Sequence, residues 1–98
     1  MSTRERDQEL EDFETGVVAR IKEERLARRM SQMDLALEAG ISQGYLAMVE
    51  THQKIPTITT IYKLSRALHI SPASLFAPQD SNHQQAKEHI IQLIRRDL

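Results

Sequence analysis

"QMDLALEAGISQGYLAMVE", residues 32–50, is built as two short apolar-striped segments on either side of a glycine. Gly40 lies four residues after Ala36, and Leu35, Ile41, Leu46 and Val49 supply the apolar contacts around it. Two short helices that cross steeply around a tight turn need this arrangement. The crossing point takes a small side chain, Ala36, and the turn takes a residue tolerant of positive φ, Gly40. The second segment has only one stripe to bury, so its other side stays free.

The flanks extend the helical pattern. Ser31 is an N-cap, and Asp34 falls in the first turn of the helix from Gln32 to about Ala39, where its charge suits the helix dipole. Ser42 caps the next helix, about Gln43 to Thr51. "THQKIPT" (51–57) is a loop, because Pro56 bars helix continuation. Thr57 caps a fourth helix, about Ile58 to Leu68, which buries Ile61, Leu64 and Leu68. "HISPASLF" (69–76) reads as a turn, a Ser71 cap, Pro72 at a first helical position and a short fifth helix. Upstream, Leu10, Phe13, Val17 and Ile21 share one face that continues to Arg25 and Leu26. They predict a first helix from about Thr15, or further upstream, to about Arg29. "APQDSNHQQ" (77–85) is linker-like, and "AKEHIIQLIRRDL" (86–98) is an amphipathic sixth helix. The expected fold is all-α, a five-helix domain with an added C-terminal amphipathic helix. It divides into an acidic arm or helix extension (1–14), the core domain (15–77), and a linker with the C-terminal helix (78–98).

Composition narrows the function classes. Hydrophobic residues make up 40% of the 98 positions and aromatics 4%, so the small core must be aliphatic. The absence of cysteine removes disulfides, thiolate zinc sites and thiol catalysis, and fits a cytoplasmic protein. No apolar run approaches the roughly 18 residues of a membrane span, and the charged start lacks the apolar stretch of a secretory signal. The net charge of −1 hides an uneven distribution. The acidic residues concentrate before residue 15, and the middle of the chain is its basic part, which leaves room for a local positive face. The four histidines have no ligand spacing, so no metal site is expected; nor is any cofactor or catalytic residue set, and the chain reads as a non-enzyme.

The segment from about Val18 to Phe76 resembles the phage repressor/Cro-type, or XRE, helix-turn-helix family. "IKEERLARRMSQMDLA" (21–36) is similar to its first helix and the start of its second, with Gln32 at the Ser-Gln junction. "GISQGYLAMVE" (40–50) is similar to its recognition helix, and "IPTITTIYKLSRALHISPASLF" (55–76) to its last two helices. The resemblance implies double-stranded DNA as partner, with the third helix in the major groove. Gln43, Gly44, Ala47 and Met48 are then the base-contacting positions, Gln being suited to adenine. Gln32, Ser42, Thr51, Lys54 and Thr57 are phosphate-contacting positions; Tyr45 is either another or a packing residue. Arg25 matches an arginine that pairs with the closing glutamate, Glu50, in a structural salt bridge.

Three departures from the family pattern stand out. Thr51 and His52 replace an Arg or Asn followed by Gly, Arg29 replaces a glycine at the end of the first helix, and Met48 replaces a commonly polar position. Gly44 inside a helix costs about 1 kcal/mol relative to Ala, a cost that close approach to DNA would justify. The apolar Ile90, Ile91, Leu93, Ile94 and Leu98 are too many for a solvated segment; they either fold back on the domain or form a homodimer interface. A homodimer suits a palindromic operator with two half-sites about one DNA turn apart. Antitoxins and restriction-modification controllers share this fold, so a partner protein such as a toxin is the alternative reading.

Overall fold

The computed structural model describes residues 2–76, which form four α-helices and one 3-10 turn. They are α1 (Thr3–Ala27), α2 (Gln32–Ala39), α3 (Gln43–Glu50), α4 (Ile58–Ala67) and the 3-10 turn Pro72–Leu75. There is no strand among the described residues. The fold is all-α, but the fifth helix of the sequence reading is a single 3-10 turn. Pro72 removes a backbone donor at its start and only four residues separate Ser71 from Phe76, too few to establish the α ladder. The positions assigned to the sixth helix, including Ile90, Ile91, Leu93, Ile94 and Leu98, lie outside the described residues.

Helix α1 is continuous from Thr3, twelve residues upstream of Thr15, the latest start that the apolar spacing allowed. The early turns rest on local interactions. The Ser2 Oγ accepts from the Glu5 amide, and the Glu5 carboxylate accepts from the Ser2 amide, both at 3.2 Å. This capping box satisfies two donors that every helix start leaves open. Gln8 donates to Asp12 one turn on. The buried residues of α1 all lie in its second half, Val17, Val18, Ile21 and Arg25, whereas Leu10, Phe13 and Leu26 stay exposed. The stripe from Leu10 to Ile21 is therefore half core and half surface.

Ile21 of α1, Leu35 of α2, Leu46 and Val49 of α3, Leu64 of α4 and Leu68 just after it lose all contact with solvent. Leu75 of the 3-10 turn closes the core from below. Full burial of each such side chain contributes about 1.5–3 kcal/mol, which is how an aliphatic domain of this size holds together without aromatic mass. Helices α2 and α4 pack on each other, α2 leads directly into α3, and α1 crosses α3.

All four α-helices end in the same way. An amide one residue beyond the turn reaches back five residues: Met30 to Arg25, Ile41 to Ala36, Gln53 to Met48 and Ile70 to Ser65, at 2.8–3.1 Å. This closure requires a left-handed residue at the turn. Those residues are Arg29, Gly40, His52 and His69, with φ of 56°, 73°, 64° and 58°. Only one is glycine. Arg29 and His52 are two of the family departures seen in sequence, and each keeps the backbone shape while carrying the steric cost of a Cβ.

Candidate nucleic-acid interface

The inner side of α3 is fixed by a buried ion pair. Arg25 of α1 is bidentate to Glu50, Nε to Oε2 and Nη2 to Oε1, both at 2.9 Å, and its Nη1 donates to the Met30 carbonyl at 2.8 Å. Both residues are only 7% exposed. The geometry matches the planar fork of arginine to a carboxylate. Gln32, at the first turn of α2, donates its amide to the same Glu50 oxygen at 3.2 Å. One glutamate at the end of α3 thus holds α1, the start of α2 and α3 in register. The Gln32 side chain is half-buried against this network, and its amide keeps a second hydrogen for another acceptor.

Each short helix also has a fixed start. Ser31 and Asp34 form a reciprocal capping box at 2.9 Å. The bonds from the Ser31 amide and hydroxyl to its carboxylate hold Asp34 below the ordinary aspartate range. Ser42 Oγ accepts from the Tyr45 amide at 3.0 Å. Thr57 Oγ1 accepts from the Thr60 amide at 3.1 Å. Ser42 and Thr57 therefore spend their hydroxyls as caps at the points where two helices begin.

The outer side of α3 is open. Gln43 and Gly44 are exposed, Ala47 and Met48 half-buried, all on one face by the i, i+1, i+4, i+5 spacing. The Gln43 side chain has no hydrogen-bond partner among the described residues. A Cβ placed on Gly44 would meet nothing within 4 Å, so nothing in the domain itself asks for glycine there. Met48 turns a polar face partly apolar, which suits contact with a thymine methyl more than a hydrogen bond.

Around this face the remaining positions divide. Thr51 donates its hydroxyl to the Ala47 carbonyl at 2.8 Å and accepts from Gln53 at 3.0 Å, while staying exposed. Lys54 is exposed on the loop after α3, at a cleft of about 300 Å³ whose walls also include His52, Glu11 and Glu14. The acidic extension of α1 therefore reaches the neighbourhood of the basic loop. Tyr45 is half-buried, and its hydroxyl meets Thr60 Oγ1 at 3.1 Å. Thr60 Oγ1 in turn meets Thr57 Oγ1 at 3.0 Å. Three hydroxyls tie α3 to the start of α4, and Thr60, buried and central to the chain, had no signal in the sequence because it is a tertiary contact. Among the described residues no group of three or more His, Asp or Glu is arranged to hold a metal ion, and no helix is long and apolar enough to cross a membrane.

Two short helices around Gly40, clamped from within and open without, define a helix-turn-helix protein. The family model described as "Helix-turn-helix" matches residues 21–75, more than half of the chain, and the chain belongs to this family, in its XRE-type branch of DNA-binding transcriptional regulators. It is 34% identical over 62 residues to an uncharacterized HTH-type transcriptional regulator, y4dJ, of Sinorhizobium fredii, spanning 63% of this chain and 77% of that protein. Among solved structures it is similar to the restriction-modification controller protein C.AhdI of Aeromonas hydrophila. That match has 35% identity and a TM-score of 0.62, over 66% of this chain and 97% of C.AhdI. It is also similar to the N-terminal DNA-binding domain of SinR from Bacillus subtilis, at 28% identity and TM-score 0.62, over 68% of this chain and 99% of that one.

Proposed function

We propose that the chain regulates transcription by binding a palindromic operator as a homodimer in the cytoplasm. The outward face of α3 enters the major groove, and Gln43 reads a base edge. The observation that carries this reading is the contrast at α3, where the inward residues are buried and paired while Gln43 is exposed and unpaired. Lys54, Thr51 and the helix starts at Gln32, Ser42 and Thr57 surround that face and supply phosphate contacts; Tyr45 braces them through Thr60. Gly44, which has open space around its Cα, lets the duplex approach closely.

The test is to select an operator from random DNA and then measure Gln43→Ala on it. Affinity for the selected site is expected to fall by about 1–3 kcal/mol while nonspecific binding stays near normal. Equal loss on every sequence would reject base reading. Specific binding should also weaken steeply with salt, as counterion release demands. Dimerisation is assigned to Ile90, Ile91, Leu93, Ile94 and Leu98 in the C-terminal segment. Deleting residues 79–98 is expected to leave a folded monomer by light scattering, and an unchanged dimer would move the interface elsewhere.

A second reading is favoured by the similarity to C.AhdI, a restriction-modification controller protein. In this reading the chain controls restriction-modification genes, or serves as an antitoxin that also holds a partner such as a toxin. Operators confined to the region upstream of such genes, or co-purification of a second chain, would select it.

A further inference from the structure

A groove of about 180 Å³ opens between the middle of α1 and the start of α4, lined by Phe13, Glu14, Val17, Ile58, Ile61 and Phe76 together with Ile55 and Pro56 of the loop. Glu14 is its one charged wall among the described residues. Phe13 and Phe76 stack in parallel with ring centroids 5.7 Å apart and form one end. The aliphatic side chains at the mouth are unusually bare: Ile58 is 89% exposed and Ile55 69%. Leu10, one turn before Phe13 on α1, extends the same apolar stripe and is exposed too. A contiguous apolar patch of this kind on a small domain marks a surface built to be covered.

We infer that this groove is the docking site for residues 86–98 of this chain, "AKEHIIQLIRRDL". Phe76, a wall of the groove, is also the point from which the chain runs on to that segment. The nine residues 77–85 span at most about 30 Å, so residue 86 stays within reach of the groove mouth. Ile90, Ile91, Ile94 and Leu98 recur at i, i+1, i+4 and i+8, a stripe of the right width for a groove between two helices. Charge agrees. Glu14 lines the groove on the α1 side, and the stretch that leads up to it, residues 2–14, carries two basic and six acidic side chains, a net −4. Residues 86–98 carry Lys87, Arg95 and Arg96 against Glu88 and Asp97, a net +1, with both arginines directly following Ile94. The inference concerns the same segment as the proposed dimer contact and says where its apolar side lands.

The chain has no cysteine, so introduced thiols report without background. In the full-length protein, Ile58→Cys is combined in turn with Ile91→Cys and Ile94→Cys and treated with a short bismaleimide. Ile58 is too exposed for its replacement to disturb the core, and circular dichroism checks that the helices remain. Leu37→Cys, on α2 outside the groove and 80% exposed, replaces Ile58→Cys as the reference. Cross-linking through Ile58→Cys is expected to be about tenfold faster or more than through Leu37→Cys, reflecting a high effective concentration of the segment at the groove. A product within one chain supports the inference and removes the segment from the dimer contact. A product between chains supports the inference and the dimer together. Equal rates at the two positions overturn the inference, whatever light scattering then says of the dimer. Efficient cross-linking of Ile58→Cys alone also overturns it, because the groove would then face a second copy of itself.

Discussion

On its inward side α3 presents Leu46 and Val49, fully buried, and Glu50, held by three hydrogen bonds from Arg25 and Gln32. On the outward side of the same eight-residue helix it presents Gln43 and Gly44 to solvent, and the Gln43 side chain has no hydrogen-bond partner among the described residues. A helix of two turns is marginal by itself in water, so its position comes almost wholly from the inward side. The comparison teaches that rigidity and availability are divided by face. The buried contacts fix where the helix lies, which leaves the exposed residues free to be chosen for what they touch.

The largest test of that division is to break the inward side. Arg25→Ala leaves Glu50 buried without its cation, a situation that costs about 3–5 kcal/mol, and is expected to lower the denaturant midpoint strongly. Replacing both partners, Arg25→Met with Glu50→Met, should lose less than Arg25→Ala alone. If the single variant melted like the parent, the clamp would not be what places α3. The next test sharpens the outward side. Gly44→Ala meets open space and improves helix propensity, so stability should rise by about 1 kcal/mol, while affinity for the selected operator should fall. A rise in stability with unchanged affinity would show that DNA does not approach that backbone closely. The smallest effects belong to the helix ends. Arg29→Gly and His69→Gly relieve left-handed strain and should each stabilise by up to about 1 kcal/mol, since glycine's greater freedom when unfolded offsets part of the gain. His52→Gly should give a similar gain in thermal unfolding.

The parts legible in the sequence were those written in local chemistry. Ser31, Ser42 and Thr57 are caps whose function depends on the next three residues, so the starts of α2, α3 and α4 could be read directly. Gly40 marked the turn, and the apolar stripes gave Leu35, Leu46, Val49, Ile61 and Leu64. For α1 the sequence left a start upstream of Thr15 open, but apolar spacing could not place it at Thr3. Residues 3–14 are helical through a capping box, good helix formers and side-chain bonds one turn apart, none of which produces an apolar period. Leu10 and Phe13 fitted the stripe by spacing, but spacing cannot show that full burial begins only at Val17. On the outer side of α3, the exposure of Gln43 and Gly44 follows from helix geometry once the frame is known. The links from Gln32 to Glu50 and from Tyr45 to Thr60 join residues 18 and 15 positions apart, and only the folded packing brings them together.

Because Gln43, Gly44, Ala47 and Met48 share no hydrogen bond with the Arg25–Glu50–Gln32 network, the two sets are energetically uncoupled to first approximation, and their substitutions should add. Recognition can therefore be rewritten one outward position at a time on an unchanged frame. With Gly44 kept, a panel of variants at Gln43, Ala47 and Met48 would behave as an interchangeable reading cassette, with new operator preferences and nearly constant melting temperature.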